Sequence, residues 1–474
     1  RLKPFWLRAP TRGALCLYRE PVYAPMMLES KTTRICLASA TVGAYLWYRQ
    51  YGKSMRFGAR GLPKTTDNGL PILGHVSFLW EGLAPWCKRL YETHGKVFNI
   101  FLFGEHVTVV DWDVYEKYIA RAEDAGDLIP QLAPHLKKLV GEHSVITARA
   151  GKSAECSRHK FVRSKLMQAL APKQVLLLAP RIEAAARQLL DECVQETARR
   201  GEVSMKKLIE RFAYENAAVS VLGSLADNKT LLDEMQPLSE QFLGGVLAMV
   251  PVDLPFFQYG RAMNARRALA RFLRALLAQA ETNDSQRNVL AQLTAPSSAG
   301  RALTEDEVLD SLMTVLLAGV ATTSFTIPHL IVNLWQHPEW SDRIAAEARS
   351  NPWTQASGIE SPSSEVVKFV RETMRLRPAI DVFRRARVDG PLDLGEYGTV
   401  PAGWPVAVFF AAHGYSMGGQ FDPSRWTPEL SKAFTGFGGH SPHQCAGKNL
   451  ALLEMEIMAQ VVSSGYKVEV LDPT

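Results

Sequence analysis

A single cysteine lies in a glycine-rich loop directly before a predicted helix. The loop runs from Phe437 to Gly447 and contains Gly438, Gly439 and Cys445. The helix after it carries apolar residues at spacings of three and four: Leu450, Leu453, Ile457 and Val461. Backbone N–H groups and the helix dipole favour a thiolate at such a position, and glycine lets the backbone approach a large planar ligand. The loop therefore predicts a thiolate beside a bound ligand, although a small buried cysteine would explain each feature singly.

An acid and a base three residues apart form a second candidate group. Glu372 and Arg375 share one face of a helix that is predicted to begin near Ser363 or Ser364. Such pairs are common on protein surfaces, but here the flanking positions are apolar: Val366, Val367, Phe369, Val370, Met374 and Leu376. The pattern predicts a mostly buried ion pair, which needs further partners, and Arg425 is the candidate third member.

The longest predicted helix holds a third candidate group in its middle. Thr304 and Glu307 form a capping box before an apolar run that continues to about Gln336. At about 32 residues this helix would be ~48 Å long and would cross the centre of a large domain. Small and hydroxyl-bearing residues cluster in its middle, from Ala318 to Ser324. Ordinary helix packing accounts for this cluster as well as a ligand site does.

The composition is that of an ordinary globular protein. The chain has 474 residues, of which 47% are hydrophobic and 22% charged, which argues against disorder, collagen-like repetition and coiled coil. Six cysteines show no C-x-x-C pair: Cys16, Cys36, Cys87, Cys156, Cys193 and Cys445. Their spacing argues against a disulfide scaffold or a zinc ribbon and favours reduced thiols facing the cytosol.

Most of the net charge of +6 lies at the N-terminus. Residues 1–34 form a basic extension with seven basic and two acidic side chains, so the rest of the chain is close to neutral. A nucleic-acid-binding protein would carry its basic excess on the folded body. Nucleic acid is therefore not an expected partner.

Residues 35–56 are a candidate membrane anchor. Their apolar run, Ile35–Tyr48, is flanked by Arg34 and Arg49, but it is shorter than the roughly 20 residues that cross a bilayer comfortably. A signal-peptide core and a buried helix are the alternatives. Basic residues on the C-terminal side of the run favour a cytosolic location for the rest of the chain.

The remaining chain is predicted to form a linker and one large domain. Residues 57–75 are rich in proline and glycine, which suits a linker. Val97–Phe103 and His106–Asp111 predict a hairpin with Gly104–Glu105 as its turn. Two further helices are predicted: Val175–Arg200 and Ala262–Glu281. The lipophilic interval 236–262 is either a lid or an irregular core loop.

These groups, in this order and rough spacing, resemble the cytochrome P-450 haem-thiolate family. The resemblance rests on the Ala318–Ser324 segment, the Glu372–Arg375 pair with Arg425, and the Cys445 loop. It covers about residue 60 to the end and is nearest the branch that contains retinoid and sterol hydroxylases. It implies a mainly α fold with small β-sheets, in which residues 76–474 form a triangular helical catalytic domain around a buried haem.

The resemblance also implies a role for each matching residue. Cys445 would be the axial ligand of the haem iron, which a thiolate activates for O–O cleavage, and Thr322 would help to deliver protons to the bound oxygen. Four residues would contact the haem propionates: His159, Arg163, Arg384 and His443. The loop residues that would hold the haem are Phe437, Gly439 and Gly447. The structural triad beneath the haem would be Glu372, Arg375 and Arg425.

The resemblance implies a membrane-bound monooxygenase of the endoplasmic reticulum with a cytosolic catalytic domain. It would use haem, O2 and electrons from an NADPH-cytochrome reductase or an equivalent donor to hydroxylate a sterol, retinoid or other isoprenoid lipid. The lipophilic interval 236–262 agrees with such a substrate. Two departures stand against it: Ala321 occupies the position of the usual acid, and the loop between Phe437 and Cys445 is one residue longer. Ala321 is the main reason to leave open a haem- and lipid-binding or peroxide-dependent relative without NADPH-driven turnover.

Overall fold

The computed structural model describes most of the chain from residue 74 onwards. The described residues are 14–15, 74–81, 83–102, 105–130, 132, 134–152, 156–248, 250–280, 288–296, 302–350, 359, 364–380, 382–439 and 441–471. The candidate anchor 35–56, the basic extension apart from residues 14–15, and the linker up to residue 73 lie outside them. Those three assignments stay predictions.

Helices dominate the described residues, and the strands are short, as the predicted fold class requires. The helices of seven or more residues are α1 Leu83–His94, α2 Pro134–Val140, α3 Ser157–Ala169, α4 Ala179–Arg200, α5 Lys206–Leu222, α6 Lys229–Gly244, α7 Gln258–Ala280, α8 Glu305–Gln336, α9 Pro338–Ser350, α10 Glu365–Leu376, α11 Phe410–Ser416 and α12 Lys448–Gly465. The strands are β1 Ala14–Leu15, β2 Val97–Leu102, β3 Glu105–Val110, β4 Leu128–Pro130, β5 Val382–Val388, β6 Leu392–Asp393, β7 Thr399–Val400, β8 Pro405–Phe409 and β9 Lys467–Val468.

Helix α8 forms the centre of the largest hydrophobic core. It begins after Thr304 and spans 32 residues, as its capping box and apolar run predict. Thr304 and Glu307 satisfy each other's backbone N–H groups at the first turn. Among the described residues, α8 is the one helix whose length and composition would let it cross a membrane. Here it packs against α5, α6, α7 and α12 instead, so it is the core helix of the domain.

The predicted hairpin is present, but its second strand begins one residue earlier, at Glu105. Strands β2 and β3 pair antiparallel, with Leu102 opposite Glu105, so Glu105 belongs to the strand and not to the turn. These strands continue into a five-stranded sheet of order β2-β3-β8-β5-β4. Helix α1 packs against this sheet, and Trp86 of α1 and Phe98 of β2 are buried between them. Two separate two-stranded sheets join β1 to β9 and β6 to β7.

The interval 236–262 is mostly helical at its two ends. It contains the end of α6, up to Gly244, and the start of α7, from Gln258. The segment between them is not a core loop, because it carries exposed apolar side chains: Val246, Val250, Val252, Leu254 and Phe256. Of the two alternatives for this interval, the irregular core loop is therefore wrong.

The helix predicted over Val175–Arg200 is divided near its start. A 3-10 turn, Leu176–Leu178, precedes α4, and Pro180 lies in the first turn of α4. Proline has no N–H and is best accommodated in a helix's first turn, which agrees with the position of this break. The helix predicted over Ala262–Glu281 begins earlier, at Gln258, and is described as far as Ala280.

Candidate functional site

Two hydrogen bonds join separate parts of the Cys445 loop before α12. Its ends are joined by the N–H of Cys445, which donates to the carbonyl of Phe437 at 2.9 Å. The side-chain amide of Gln444 donates to the carbonyl of Gly439 at 2.6 Å. Gly439 has φ +55°, and a Cβ there would lie 2.5 Å from the Trp112 ring. The loop therefore requires glycine at this position, and the longer loop still places its cysteine directly before a helix.

Cys445 is exposed, in contrast to the buried Cys87, Cys156 and Cys193. Desolvation by the surrounding protein nevertheless raises the pKa of its thiol. The N–H of Gly447 and the positive charges of Arg163 and Lys448 oppose that shift in the pKa but do not outweigh it. The loop thus supplies an N–H donor that lowers the pKa of the thiol, as the sequence predicts, but desolvation has the larger effect on that pKa.

Ionisable side chains from three segments meet beside the Cys445 loop. His159 and Arg163 lie one turn apart on α3, and the His159 and His443 rings have their centroids 4.4 Å apart. His443 Nε2 lies 3.8 Å from a carboxylate oxygen of Glu123, and the hydroxyl of Tyr115 donates to the other oxygen at 2.7 Å. The sequence reasoning missed Tyr115 and Glu123, and no local pattern around them signals a site.

Arg384 belongs to the central sheet. It lies on β5, where its backbone is paired with Val408 of β8, next to an irregularity in the register. The irregularity separates Val382 from Arg384 in the pairing of the two strands. The structure thus places the fourth predicted propionate contact on a strand, whereas the other three lie on α3 and in the Cys445 loop.

The small residues in the middle of α8 divide into two sets with different surroundings. Gly319 lets α8 approach α5, since a Cβ there would lie 3.2 Å from the Cβ of Ala217. Ala318 and Ala321 are exposed although most of the helix is buried. Next to Ala321, Thr322 is half-buried and donates its hydroxyl to the carbonyl of Ala318 at 2.8 Å. The packing explanation therefore holds for Gly319, while the Ala318–Thr322 face remains open to a ligand.

The residue after Thr322 contacts a buried acid, Glu454 of α12. The hydroxyl of Thr323 donates to Glu454 on α12 at 3.0 Å, and both residues are buried. Desolvation raises the pKa of the Glu454 carboxyl to about 8, against which the Thr323 hydrogen bond acts weakly. Sequence reasoning missed this contact, because it joins residues on two helices that are far apart in the chain.

Glu372 is fully buried and is the centre of a hydrogen-bond network. Arg375 donates to both of its oxygens, at 2.7 and 2.8 Å, and Arg425 donates to one of them at 3.1 Å. The indole of Trp426 and the backbone N–H of Asp422 also donate to the carboxylate, at 3.1 and 2.8 Å. The structure thus brings together the three predicted members and adds two donors that the sequence did not indicate.

The two arginines extend this network to the backbone after α11. Arg375 donates to the carbonyls of Gly414, Gly418 and Gln420, and Arg425 donates to those of Met417 and Gln420. Because the charges of Glu372 and its arginines are compensated and hydrogen-bonded, the group satisfies the condition for a stable buried ion cluster. It fixes the chain segment that leads towards Cys445.

Comparison with known proteins decides the family. The family model described as cytochrome P-450 matches residues 63–473. The chain belongs to the cytochrome P-450 family. Among relatives, this P-450 is 25% identical to ent-kaurenoic acid oxidase 1 of Arabidopsis thaliana over 86% of each chain. It is 24% identical to abscisic acid 8′-hydroxylase 1 of the same plant over 87% of each chain.

A solved structure shows the same fold. The retinoic-acid-bound cyanobacterial CYP120A1 is 22% identical to this P-450 and superposes with a TM-score of 0.71, covering 86% of this chain and 92% of the other. The predicted fold class is therefore confirmed. As a cytochrome P-450, the protein is a monooxygenase with haem as its cofactor.

The residues around Cys445 fit this cofactor. A metal cation deprotonates a coordinating thiol outright, so bound iron would supply the charge compensation that the raised pKa of Cys445 calls for. Because residue 439 is glycine, the loop backbone can pass close to the Trp112 ring. The cationic and histidine side chains on α3 and in the loop suit the carboxylates of a haem edge. When bound, the haem supplies the activation of O2.

The buried network predicts a large effect of neutralising Glu372. Glu372→Gln leaves Arg375 and Arg425 with uncompensated charge in the interior, so the free energy of unfolding should fall by about 3–5 kcal/mol and haem content should drop. The matched control is Glu365→Gln on the same helix, which breaks a more exposed pair with Lys368 of the same spacing and should cost about 0–1 kcal/mol. Urea unfolding and haem quantification measure both. Equal losses in the two variants would contradict the buried role.

The raised pKa of Glu454 predicts a pH dependence of stability. Between the ordinary carboxyl pKa and about 8, the folded chain keeps a proton that the unfolded chain releases. Wild-type stability should therefore fall by ~1.4 kcal/mol for each pH unit as the pH rises through that window. Glu454→Gln should lack this slope, whereas the exposed-site control Glu92→Gln should retain it. Urea unfolding at several pH values tests this, and parallel curves for wild type and Glu454→Gln would rule it out.

Proposed function

We propose that this cytochrome P-450 inserts one oxygen atom of O2 into a lipophilic isoprenoid, such as a sterol or a retinoid. The single observation that carries the proposal is the exposed small-residue face of α8, Ala318 and Ala321 beside Thr322, in a chain of the cytochrome P-450 family. Small side chains on that face leave room for a substrate next to a hydroxyl. The substrate class draws support from the relatives, whose names specify ent-kaurenoic, abscisic and retinoic acids.

We assign the haem-holding roles to the residues that lie around Cys445. Cys445 is the proposed axial ligand, and Gly447 donates its N–H to the sulfur. The proposed loop contacts are Phe437, Gly439 and Gly447. The proposed partners of the haem carboxylates are His159, Arg163, Arg384 and His443. A Glu123 carboxylate oxygen lies 3.8 Å from Nε2 of His443 and would help to orient that ring. Glu372, Arg375 and Arg425 would hold the backbone segment that precedes the Cys445 loop.

The proposed catalytic role of Thr322 is to pass protons into the site. Its hydroxyl is bound to the carbonyl of Ala318 and can rotate from this carbonyl towards a substrate-side water. Ala321 has no acidic group with which to supply the proton, so water must supply it. This feature favours the second candidate function, a lipid-binding or peroxide-dependent relative without NADPH-driven turnover.

Turnover assays separate the two candidate functions. With an NADPH-cytochrome reductase and a mixed panel of sterols and retinoids, wild type should oxidise a lipid at the expense of NADPH. Thr322→Ala should consume NADPH but release peroxide instead of product, since its proton-passing hydroxyl is lost. Product formed from peroxide but never from NADPH would establish the second candidate.

Cys445→Ser tests the assignment of the ligand itself. The absorption spectrum of reduced, carbon monoxide-bound wild type should have the red-shifted Soret band of thiolate ligation. The variant should lose that band together with turnover. Cys156→Ser, a change at a buried cysteine, is the control and should keep the band. A wild-type spectrum without the thiolate band, unchanged in Cys445→Ser, would overturn the assignment.

We also propose that the protein acts at the endoplasmic reticulum membrane, with its catalytic domain in the cytosol. The support from the described residues is the exposed apolar segment between α6 and α7, which we call the apolar loop: Val246, Val250, Val252, Leu254 and Phe256. Exposed apolar clusters of this kind suit contact with a membrane. Electrons would come from an NADPH-cytochrome reductase or an equivalent donor on the same membrane.

Vesicle binding tests the apolar loop. In a chain that begins at residue 57, the double substitution Leu254→Ser and Phe256→Ser should weaken binding to phosphatidylcholine vesicles by roughly tenfold or more, because two exposed apolar side chains no longer enter the lipid. The control is Leu177→Ser, since Leu177 is also exposed but lies away from this loop. Equal binding by both variants in a sedimentation assay would contradict the proposed contact.

A further inference from the structure

The helix α2 and the loop after it are held against α7 and α8 by polar contacts. Tyr259 of α7 donates its hydroxyl to the carbonyl of His135 at 2.8 Å. Arg266, two turns further along α7, donates through Nε to the carbonyl of Leu139 at 2.9 Å. Both contacts end on backbone carbonyls of α2. Leu139 of α2 is also buried in the core cluster that contains Leu309 and Leu312 of α8, so these polar contacts act together with apolar packing.

Asp310 of α8 joins all three elements. One carboxylate oxygen accepts from the guanidinium of Arg266 at 2.5 Å, and the other accepts from the backbone N–H of His143 at 3.0 Å. Asp310 is only 5% exposed. A single buried carboxylate therefore links α8 both to α7 and to the backbone after α2.

The backbone next to this carboxylate is shaped to receive it. Gly141 has φ +100°, and a Cβ at that position would lie 2.1–2.3 Å from the atoms of the Asp310 carboxyl. A side chain cannot be accommodated there, so the loop closes on Asp310 only because residue 141 is glycine. We call Asp310, Arg266 and the backbone of residues 139–144 the Asp310 latch.

The latch lies on the same ridge of α8 as the proposed catalytic threonine. Asp310, Thr314, Ala318 and Thr322 follow at intervals of four, so they line one side of the helix. The hydroxyl of Thr314 is bonded to that of Ser144 at 2.7 Å, which extends the contact of the loop by one turn towards Ala318. The segment that the latch holds thus ends where the exposed face of α8 begins.

We propose that Asp310 is a positioning residue that latches residues 139–144 over the N-terminal end of the open α8 face, and that release of this latch admits bulky lipophilic substrates. The inference rests on the proposed function only in taking the Thr322 face as the substrate side. Desolvation raises the pKa of Asp310 more than His143 and Arg266 lower it. A buried pair of this kind contributes defined position more than net stability, as a latch that must open requires.

The test compares ligands of different size on the haem-loaded protein. Imidazole and 1-dodecylimidazole serve as probes, and their association is followed by stopped-flow absorbance of the haem. Asp310→Asn removes the ion pair but keeps the side-chain shape, so the open population should rise. We expect 1-dodecylimidazole to associate roughly tenfold faster, since apparent rates through a gate scale with its open fraction. Imidazole, which is small enough to pass, should change by less than about twofold.

Two further variants make the result specific. Arg266→Gln removes the other half of the latch and should reproduce the size-selective effect. Arg274→Gln is the matched control, because Arg274 joins the same two helices through exposed pairs with Glu305 and Asp306. It should leave the association of both probes at wild-type rates. Should it accelerate 1-dodecylimidazole as much as Asp310→Asn does, general loosening of α7 and α8 would replace the latch.

Hydrogen exchange gives a readout that needs no substrate. Amide protection over residues 139–144 should fall in Asp310→Asn and in Arg266→Gln, because the loop opens more often, and should be unchanged in Arg274→Gln. Faster association without this loss of protection, or equal acceleration of both probes, would overturn the latch. Failure of NADPH-driven turnover would bear only on the proposed function, since neither the probes nor the exchange depends on it.

Discussion

The buried carboxylate of Glu372 is the interaction on which the rest of the site depends. It has no exposed surface, so its charge is tolerated only while its oxygens accept from the donors around them. Those donors come from α10 and from the segment after α11. Their hydrogen bonds therefore hold that segment against α10. The Cys445 loop follows this segment in the chain. The position of Cys445 thus depends on an ion cluster that takes no part in the chemistry.

Helix α8 carries the other part of the proposed site, the Ala318–Thr322 face, and individual polar contacts determine where the helix lies. Asp310 holds the loop after α2, Thr323 is bonded to Glu454 on α12, and Asn333 donates to Thr373 on α10 at 3.0 Å. Each is a polar group on a largely apolar helix, where an unsatisfied partner would be costly. Hydrophobic burial drives the helix into the core but does not specify its depth or rotation. These bonds do, and they leave the Ala318–Thr322 face open between them.

Desolvation shifts the pKa of two acidic groups, the Cys445 thiol and the Glu454 carboxyl, in the same direction. The pKa values of Cys445 and Glu454 are both raised, because the surrounding protein takes water away from their charged forms. Cys445 has cations and an N–H donor nearby and needs only a metal cation to become a thiolate. The hydrogen bond from Thr323 to Glu454 lowers the pKa of that carboxyl too little to offset burial. Desolvation therefore leaves the Cys445 thiol dependent on a metal cation for its ionisation and keeps the Glu454 carboxyl neutral.

The sequence by itself determined the elements and most of the chemistry, since these signals are local. The capping box placed α8 to the residue, the spacing of Glu372 and Arg375 predicted a buried pair, and the glycine-rich loop identified Cys445. Only the tertiary structure decided which distant groups complete them: Tyr115, Glu123, Asp310, Trp426 and Glu454. Those contacts join segments that are remote in the chain, and no local periodicity encodes them. The raised pKa of Cys445 was likewise beyond the sequence, because desolvation is a property of the packed fold.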